Sequence, residues 1–292
     1  VQSKAMPHRI ILCFFGISLL LASCGRDTIV PVDNFPADST ITQIELENYI
    51  NRTHIALLNR KPSASELLQS IQHLDINRYD RGIRDAYITS IQDMQRSKWA
   101  VWQFLSDRIL DGTDTADVYW SAQRYQQRVN NSGTQSEQDY WQGLLDRTNN
   151  NIATLNGWYS NDSTFDALIG WMVRMPVYDE INMGTENFVV SIYQHFYHRY
   201  PTDHELEQAS DMVDRQWGLL YGTNGNSKAD FIGIFTAQGE FKQGIIINVF
   251  ESYLNRLPTT VESDRFLNHL SNGWDYQKLQ RYLLTDSEFV NG

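Results

Sequence analysis

The frame Arg-x-Pro-[Ser/Thr]-x-x-Glu occurs three times, as Arg60-Lys61-Pro62-Ser63 to Glu66, Arg199-Tyr200-Pro201-Thr202 to Glu205, and Arg256-Leu257-Pro258-Thr259 to Glu262. No other feature restricts the fold as strongly. Proline ends a helix at the residues before it. A hydroxyl three residues ahead of a glutamate has capping-box spacing, so a second helix opens there. Each copy is therefore read as the corner between two helices, and a repeated corner means a repeated helical unit. Set in register on the arginines, the copies agree further. Tyr49, Phe188 and Ile245 stand eleven before, His54, Tyr193 and Phe250 six before, and Leu57, Phe196 and Tyr253 three before. Those spacings put apolar side chains on one face of the helix that leads into each corner. Leu74, Val213 and Leu270 follow at fourteen, and Trp217 and Trp274 at eighteen. A third helix is expected in each unit, over Ile83–Met94, Phe231–Phe241 and Leu279–Phe289. Arg60, Arg199 and Arg256 are expected in the last turn of the leading helix, favoured by the dipole and near its free carbonyls. Glu66, Glu205 and Glu262 read as caps before acid catalysts.

The last two units resemble a bacterial domain family of unknown function, distantly similar to phycobilisome linker domains. The resemblance rests on aromatic-x-x-x-Leu-x-Arg-x-Pro, a mid-unit Gly/Trp, and a closing Ser-x-Glu-Phe, here Ser287-Glu288-Phe289 and, departing at the serine, Gly239-Glu240-Phe241. Asn-Arg replaces that family's usual Gly-Arg. The resemblance covers roughly Phe188 to Gly292 and implies helical adhesion or scaffolding modules, with no catalytic residues to carry over.

The N-terminal region points to location. A short basic start is followed by an apolar run from Ile10 to Leu21, of signal-peptide length and too short for a comfortable transmembrane helix. Then comes Leu21-Ala22-Ser23-Cys24, which resembles a bacterial lipobox. That resemblance implies cleavage before Cys24 and a covalent diacylglycerol and N-acyl lipid on it, typically palmitate. A plain signal peptide or uncleaved anchor is the alternative. Two or three acyl chains anchor stably where one is marginal. The absence of Asp directly after Cys24 favours the outer membrane by the same resemblance, with the periplasmic or surface face open. Cys24 would then be the only cysteine of the mature chain, which excludes an intramolecular disulfide. Four Asp-[Ser/Thr]-small/apolar triplets, at 27, 38, 114 and 162, resemble O-glycosylation sites of Bacteroidota envelope proteins.

The chain is expected to divide into a signal peptide (1–23), an extended tether (24–42), a divergent helical unit (43–96), a central helical segment (97–184) and two repeat units (185–244 and 245–292). The central segment carries amphipathic stretches broken by Gly- and Asn-rich turns, one of them halted before Pro176. No sustained Val/Ile/Thr alternation occurs. The fold is expected to be mainly α, an irregular array of helical hairpins with little or no sheet. Without Lys4 and Arg9 of the signal, 22 basic residues face 35 acidic ones, a balance of −13. That argues against nucleic acid as a partner.

Chemistry is sparsely signalled. His195 and His198, i and i+3 on one helix, are the best metal-like pair, yet their place at a helix end beside the repeat's arginine reads better as ordinary polar histidines. Glu251 in Val249-Phe250-Glu251-Ser252 resembles the Glu-Ser of helical lytic transglycosylases and could act as a general acid. Walker and dinucleotide fingerprints are absent, as is a Gly-x-Ser-x-Gly elbow. No cofactor is expected beyond the lipid. The resulting expectation is an outer-membrane lipoprotein, held by lipid through Cys24, that serves other envelope proteins as a non-enzymatic scaffold or accessory subunit. The alternatives are a peptidoglycan- or glycan-acting or glycan-binding lipoprotein and a surface adhesin. Aromatic faces around Trp99, Trp102 and Trp171 are candidates to dock a partner or to fill the core.

Overall fold

A computed structural model describes residues 43–75 and 80–291. The signal peptide, Cys24 and the tether lie outside the described residues. Within them the fold is mainly α: fifteen helices and one two-stranded hairpin.

The first unit is α1 (Gln43–Leu58), α2 (Ala64–Asp75) and α3 (Arg81–Gln92). The central segment follows with α4 (Gln95–Ile109), α5 (Thr115–Asn130), α6 (Gln135–Ser160), α7 (Phe165–Met172) and α8 (Pro176–Ile181). Pro176 opens α8 at a position where its missing N–H costs nothing. The second unit is α9 (Thr185–Tyr197) and α10 (Asp203–Val213), an antiparallel hairpin of β1 (Gly218–Leu220) and β2 (Thr223–Gly225), then α11 (Lys228–Thr236). The third is α12 (Gly239–Leu254), α13 (Thr260–Ser271) and α14 (Tyr276–Leu284), and α15 (Ser287–Asn291) follows.

Two of the expected third helices are each two elements, while Ile83–Met94 is the single helix α3 and the turn that ends it. α11 stops at Ala237 and α14 at Thr285, so Gly239-Glu240-Phe241 and Ser287-Glu288-Phe289 begin the next helix. At the second break the Asp286 carboxylate accepts the Glu288 amide (3.0 Å), a cap that starts α15 afresh. The boundary drawn at 244/245 therefore falls inside α12, and that at 96/97 inside α4.

In all three corners the residue after the leading helix is left-handed: Asn59, His198 and Asn255 have φ of 52°, 55° and 53°. This is the usual helix C-terminal turn, a position that favours glycine or asparagine. α4 repeats the geometry. It has the length from start to turn that α12 has, Asp111 is left-handed (φ 51°), and Asp114 with Asp117 forms a capping box on α5. The central segment thus opens on a fourth corner that lacks the arginine and proline.

Two apolar clusters hold the helices. The larger runs from Val101 in α4 to Leu283 in α14, so the central segment and the second and third units share one core. The smaller belongs to the first unit and is completed from the far end of the chain. Leu284 and Phe289 join Tyr49, Ile50, Leu57 and Ile88. Tyr49 donates to the Leu284 carbonyl (3.2 Å), and Phe289 meets its ring edge-on at 6.1 Å. Arg84 donates to the Thr285 carbonyl, and Gln92 to Gln280. At about 2–3 kcal/mol for a buried aromatic of this size, Phe289 is a principal tie between the ends.

Candidate functional site

The repeated polar residues are the first place to look for chemistry, and the structure uses them as clamps. Each arginine lies past the left-handed turn, not in the last helical turn where it was expected. The turn carries its side chain onto the first turn of the next helix. Arg60 grips Glu66 with two bonds of 2.7 and 2.6 Å, Arg199 grips Glu205 at 2.8 and 2.8 Å, and Arg256 grips Glu262 at 2.9 and 2.8 Å. Proline holds the intervening residue extended, and the carbonyl of that residue (Lys61, Tyr200, Leu257) accepts from the same arginine at 3.0 Å. The glutamate also accepts the backbone amide of Ser63, Thr202 or Thr259, whose hydroxyl accepts the glutamate's own amide. Capping box and bidentate ion pair are therefore one device.

The ring six residues before the arginine also finds its role. Tyr193 lies 5.2 Å below Arg199 and Phe250 5.1 Å below Arg256. His54 holds that register in the first unit, and burial lowers its pKa.

Arg199 and Arg256 each take a second carboxylate. Glu240, at the start of α12, meets Arg199 at 2.5 and 2.9 Å, and Glu288, at the start of α15, meets Arg256 at 2.6 and 2.6 Å. The Glu of the closing motif thus ties each unit to the next helix along the chain. In α4 the same register holds Arg96, which donates to the Leu58 carbonyl (3.0 Å) and lies over Trp99.

The charges of these carboxylates are fixed. Burial alone would raise the Glu205 carboxyl, but Arg199, the Thr202 amide and the Tyr221 hydroxyl outweigh it and hold the pKa at about 2. The Arg256 pair holds Glu262 at about 2 against burial, and Arg60 drives Glu66 far below the carboxylate range. Groups so ionised do not donate protons near neutral pH.

The other sequence candidates separate. Glu251 stands exposed on α12, 3.7 Å from Arg108. His195 is partly buried with Nδ1 3.2 Å from the Tyr178 hydroxyl, while His198 is the exposed left-handed residue of its corner. Among the described residues no group of three His, Cys, Asp or Glu could hold a metal ion. Trp102 is fully buried, Trp99 and Trp171 partly so. The exposed aromatics lie elsewhere, with Trp217 74% and Trp120 69% accessible. The triplets at 114 and 162 are helix caps: Asp114 accepts the Ala116 amide and Thr164 the Ala167 amide.

A cavity of about 330 Å³ was not signalled by any motif. It opens where the end of α6 and the start of α7 meet the N-terminal parts of α4, α12 and α14 and the end of α13. Its apolar wall includes Trp158 and the stacked pair Phe165 and Tyr276, whose ring centroids are 4.0 Å apart. At its depth lies Lys98, only 2% exposed. One clue was available in sequence: Lys98 and Lys242, both lining the cavity, hold the same register in α4 and α12.

No protein-family model matches the chain, and no curated protein or solved structure does. No described helix is long and apolar enough to cross a membrane.

Proposed function

We propose that the chain is an outer-membrane lipoprotein, acylated on Cys24, whose helical body is a non-enzymatic scaffold or accessory subunit of an envelope protein assembly. The observation that carries the scaffold reading is the face of the β-hairpin in the second unit. Trp217 and Leu219, two residues apart, point outward, while Leu220 is buried. Trp274, at the register of Trp217 in the third unit, instead packs on His269 at 4.2 Å and beside Phe266. The inserted hairpin supplies a core residue of its own and frees an indole for a surface. A large apolar group presented on such an insertion fits contact with another protein.

Two further points support the reading. The repeated arginines and glutamates are consumed in holding helices at set angles, as a rigid spacer requires. The order Leu21-Ala22-Ser23-Cys24 supplies the anchor. The test is extraction of the native full-length protein from outer membranes in mild detergent, beside Trp217→Ala and Cys24→Ala. The expected result is a stoichiometric envelope protein that is lost with Trp217→Ala, and fatty-acid labelling that is lost with Cys24→Ala. A partner-free, unlabelled native protein would overturn both parts.

A further inference from the structure

Lys98 is the most deeply buried Lys, Arg, Asp or Glu among the described residues. Its Nζ donates to Asn161 Oδ1 at 2.5 Å and sits 4.4 Å from the Trp158 ring. Asp93 and Asp275 act on it from a distance, and among the described residues no carboxylate reaches it as an ion pair. An ammonium has three donors. One is used on a neutral amide, and the residue lines the cavity. Burial lowers its pKa, the direction expected when the charged form lacks compensation. A buried charge without a close counter-ion is strongly disfavoured, so a site of this kind favours an incoming anion.

The mouth has the opposite sign. Asp162, Asp166 and Asp275 are exposed around it, against a single further cation, Lys242, among the residues that line it. Asp162 and Asp275 each spend an oxygen locally, on the Ser160 hydroxyl and the Lys278 amide. Among the described residues no hydrogen bond occupies the Asp166 carboxylate, and its charged neighbour is Lys242. The depth thus wants a negative group and the rim a positive one, with Phe165, Tyr276 and Ile245 as apolar wall between them.

We propose that this cavity binds a small zwitterion of the α-amino-acid class, a free apolar amino acid or a dipeptide. Its carboxylate pairs with Lys98, its ammonium meets the aspartates of the rim, and its apolar side chain packs on Phe165 and Tyr276. Complementary charge at both ends gives specificity against ligands that carry only one of them. The assignment is independent of the scaffold role and of any partner on the hairpin.

Calorimetric titration of the full-length protein tests it with four probes: phenylalanine, alanyl-phenylalanine, alanyl-phenylalaninamide and N-acetyl-alanyl-phenylalanine. Saturable binding of phenylalanine or the unmodified dipeptide is expected, whichever is tighter fixing the ligand length. Loss of either charge from the dipeptide should weaken it about tenfold or more. Lys98→Met should erase the preference for a free carboxylate. Should that variant fail to fold, Asp166→Asn decides: it should weaken the dipeptide and leave the N-acetyl form unchanged. Equal affinity for all the dipeptide forms, or no heat from any probe, would overturn the proposal.

Discussion

The first unit and the two later ones are written to one plan and finished differently. Arg199 and Arg256 each clamp two carboxylates, one from their own corner and one from the helix that begins after the closing helix. Arg60 clamps one. The missing partner is not simply absent, since Arg96 stands in its register and turns its guanidinium onto the Leu58 carbonyl. The later units are therefore tied forward by charge. The first is tied by burial and by hydrogen bonds to the other end of the chain, through Phe289, Leu284 and Thr285. The corner motif sets an angle within a unit, and the helix beyond the closing one decides what the unit packs against.

The strongest way to break this contrast is Phe289→Ala. It should cost about 3 kcal/mol or more by chemical denaturation, because an aromatic is removed from a small cluster that has little else to close it. Amide hydrogen exchange should localise the loss to α1 and α3 as well as α15; loss confined to α15 would mean that the first unit stands alone.

Next in size is Arg199→Met. It strands Glu205, whose side chain is only 10% accessible, and should cost about 3 kcal/mol. Arg60→Met, at a more open corner with a single partner, should cost about 1 kcal/mol or less. Equal costs would erase the distinction between the corners.

Acid sharpens the same point. Glu205 and Glu262 have folded pKa values of about 2, below an ordinary value near 4.5. Their contribution is complete above about pH 4.5 and is lost as pH falls toward 2. The unfolding free energy should decline across that window, and Arg199→Met should flatten the decline by about one proton. An unchanged slope would show that the pair does not set this pKa.

The smallest effect concerns the left-handed turns. His198→Gly should stabilise by about 0.5–1 kcal/mol, since glycine adopts φ of 55° without strain. Destabilisation would show that the imidazole makes a contact that outweighs the backbone term.

Much of the architecture was legible because its determinants are local. Proline, a hydroxyl and a glutamate three residues on announce a corner from seven letters, and the spacing of apolar positions announces the helix before it. The second carboxylates were visible as a motif, Glu240 and Glu288, but not as partners. They follow their arginines by 41 and 32 residues, and the β-hairpin insertion hides the common geometry behind the difference of nine. The arginines themselves were misplaced by one step of reasoning. Their position near a helix end suggested its carbonyls, whereas a left-handed residue beforehand redirects them. Lys98 was illegible for another reason. Its cavity is assembled from six helices, so nothing near it in sequence reports that the ammonium is dry or that Asn161 is its acceptor.

A double-mutant cycle on Arg199 and Glu240, using Arg199→Met, Glu240→Gln and the pair, bears most directly on the claim that the repeated charges are clamps between units. A coupling of about 1 kcal/mol or more is predicted, since the pair is bidentate and joins separate helices. A coupling indistinguishable from zero would contradict it and leave the second carboxylate without a structural role.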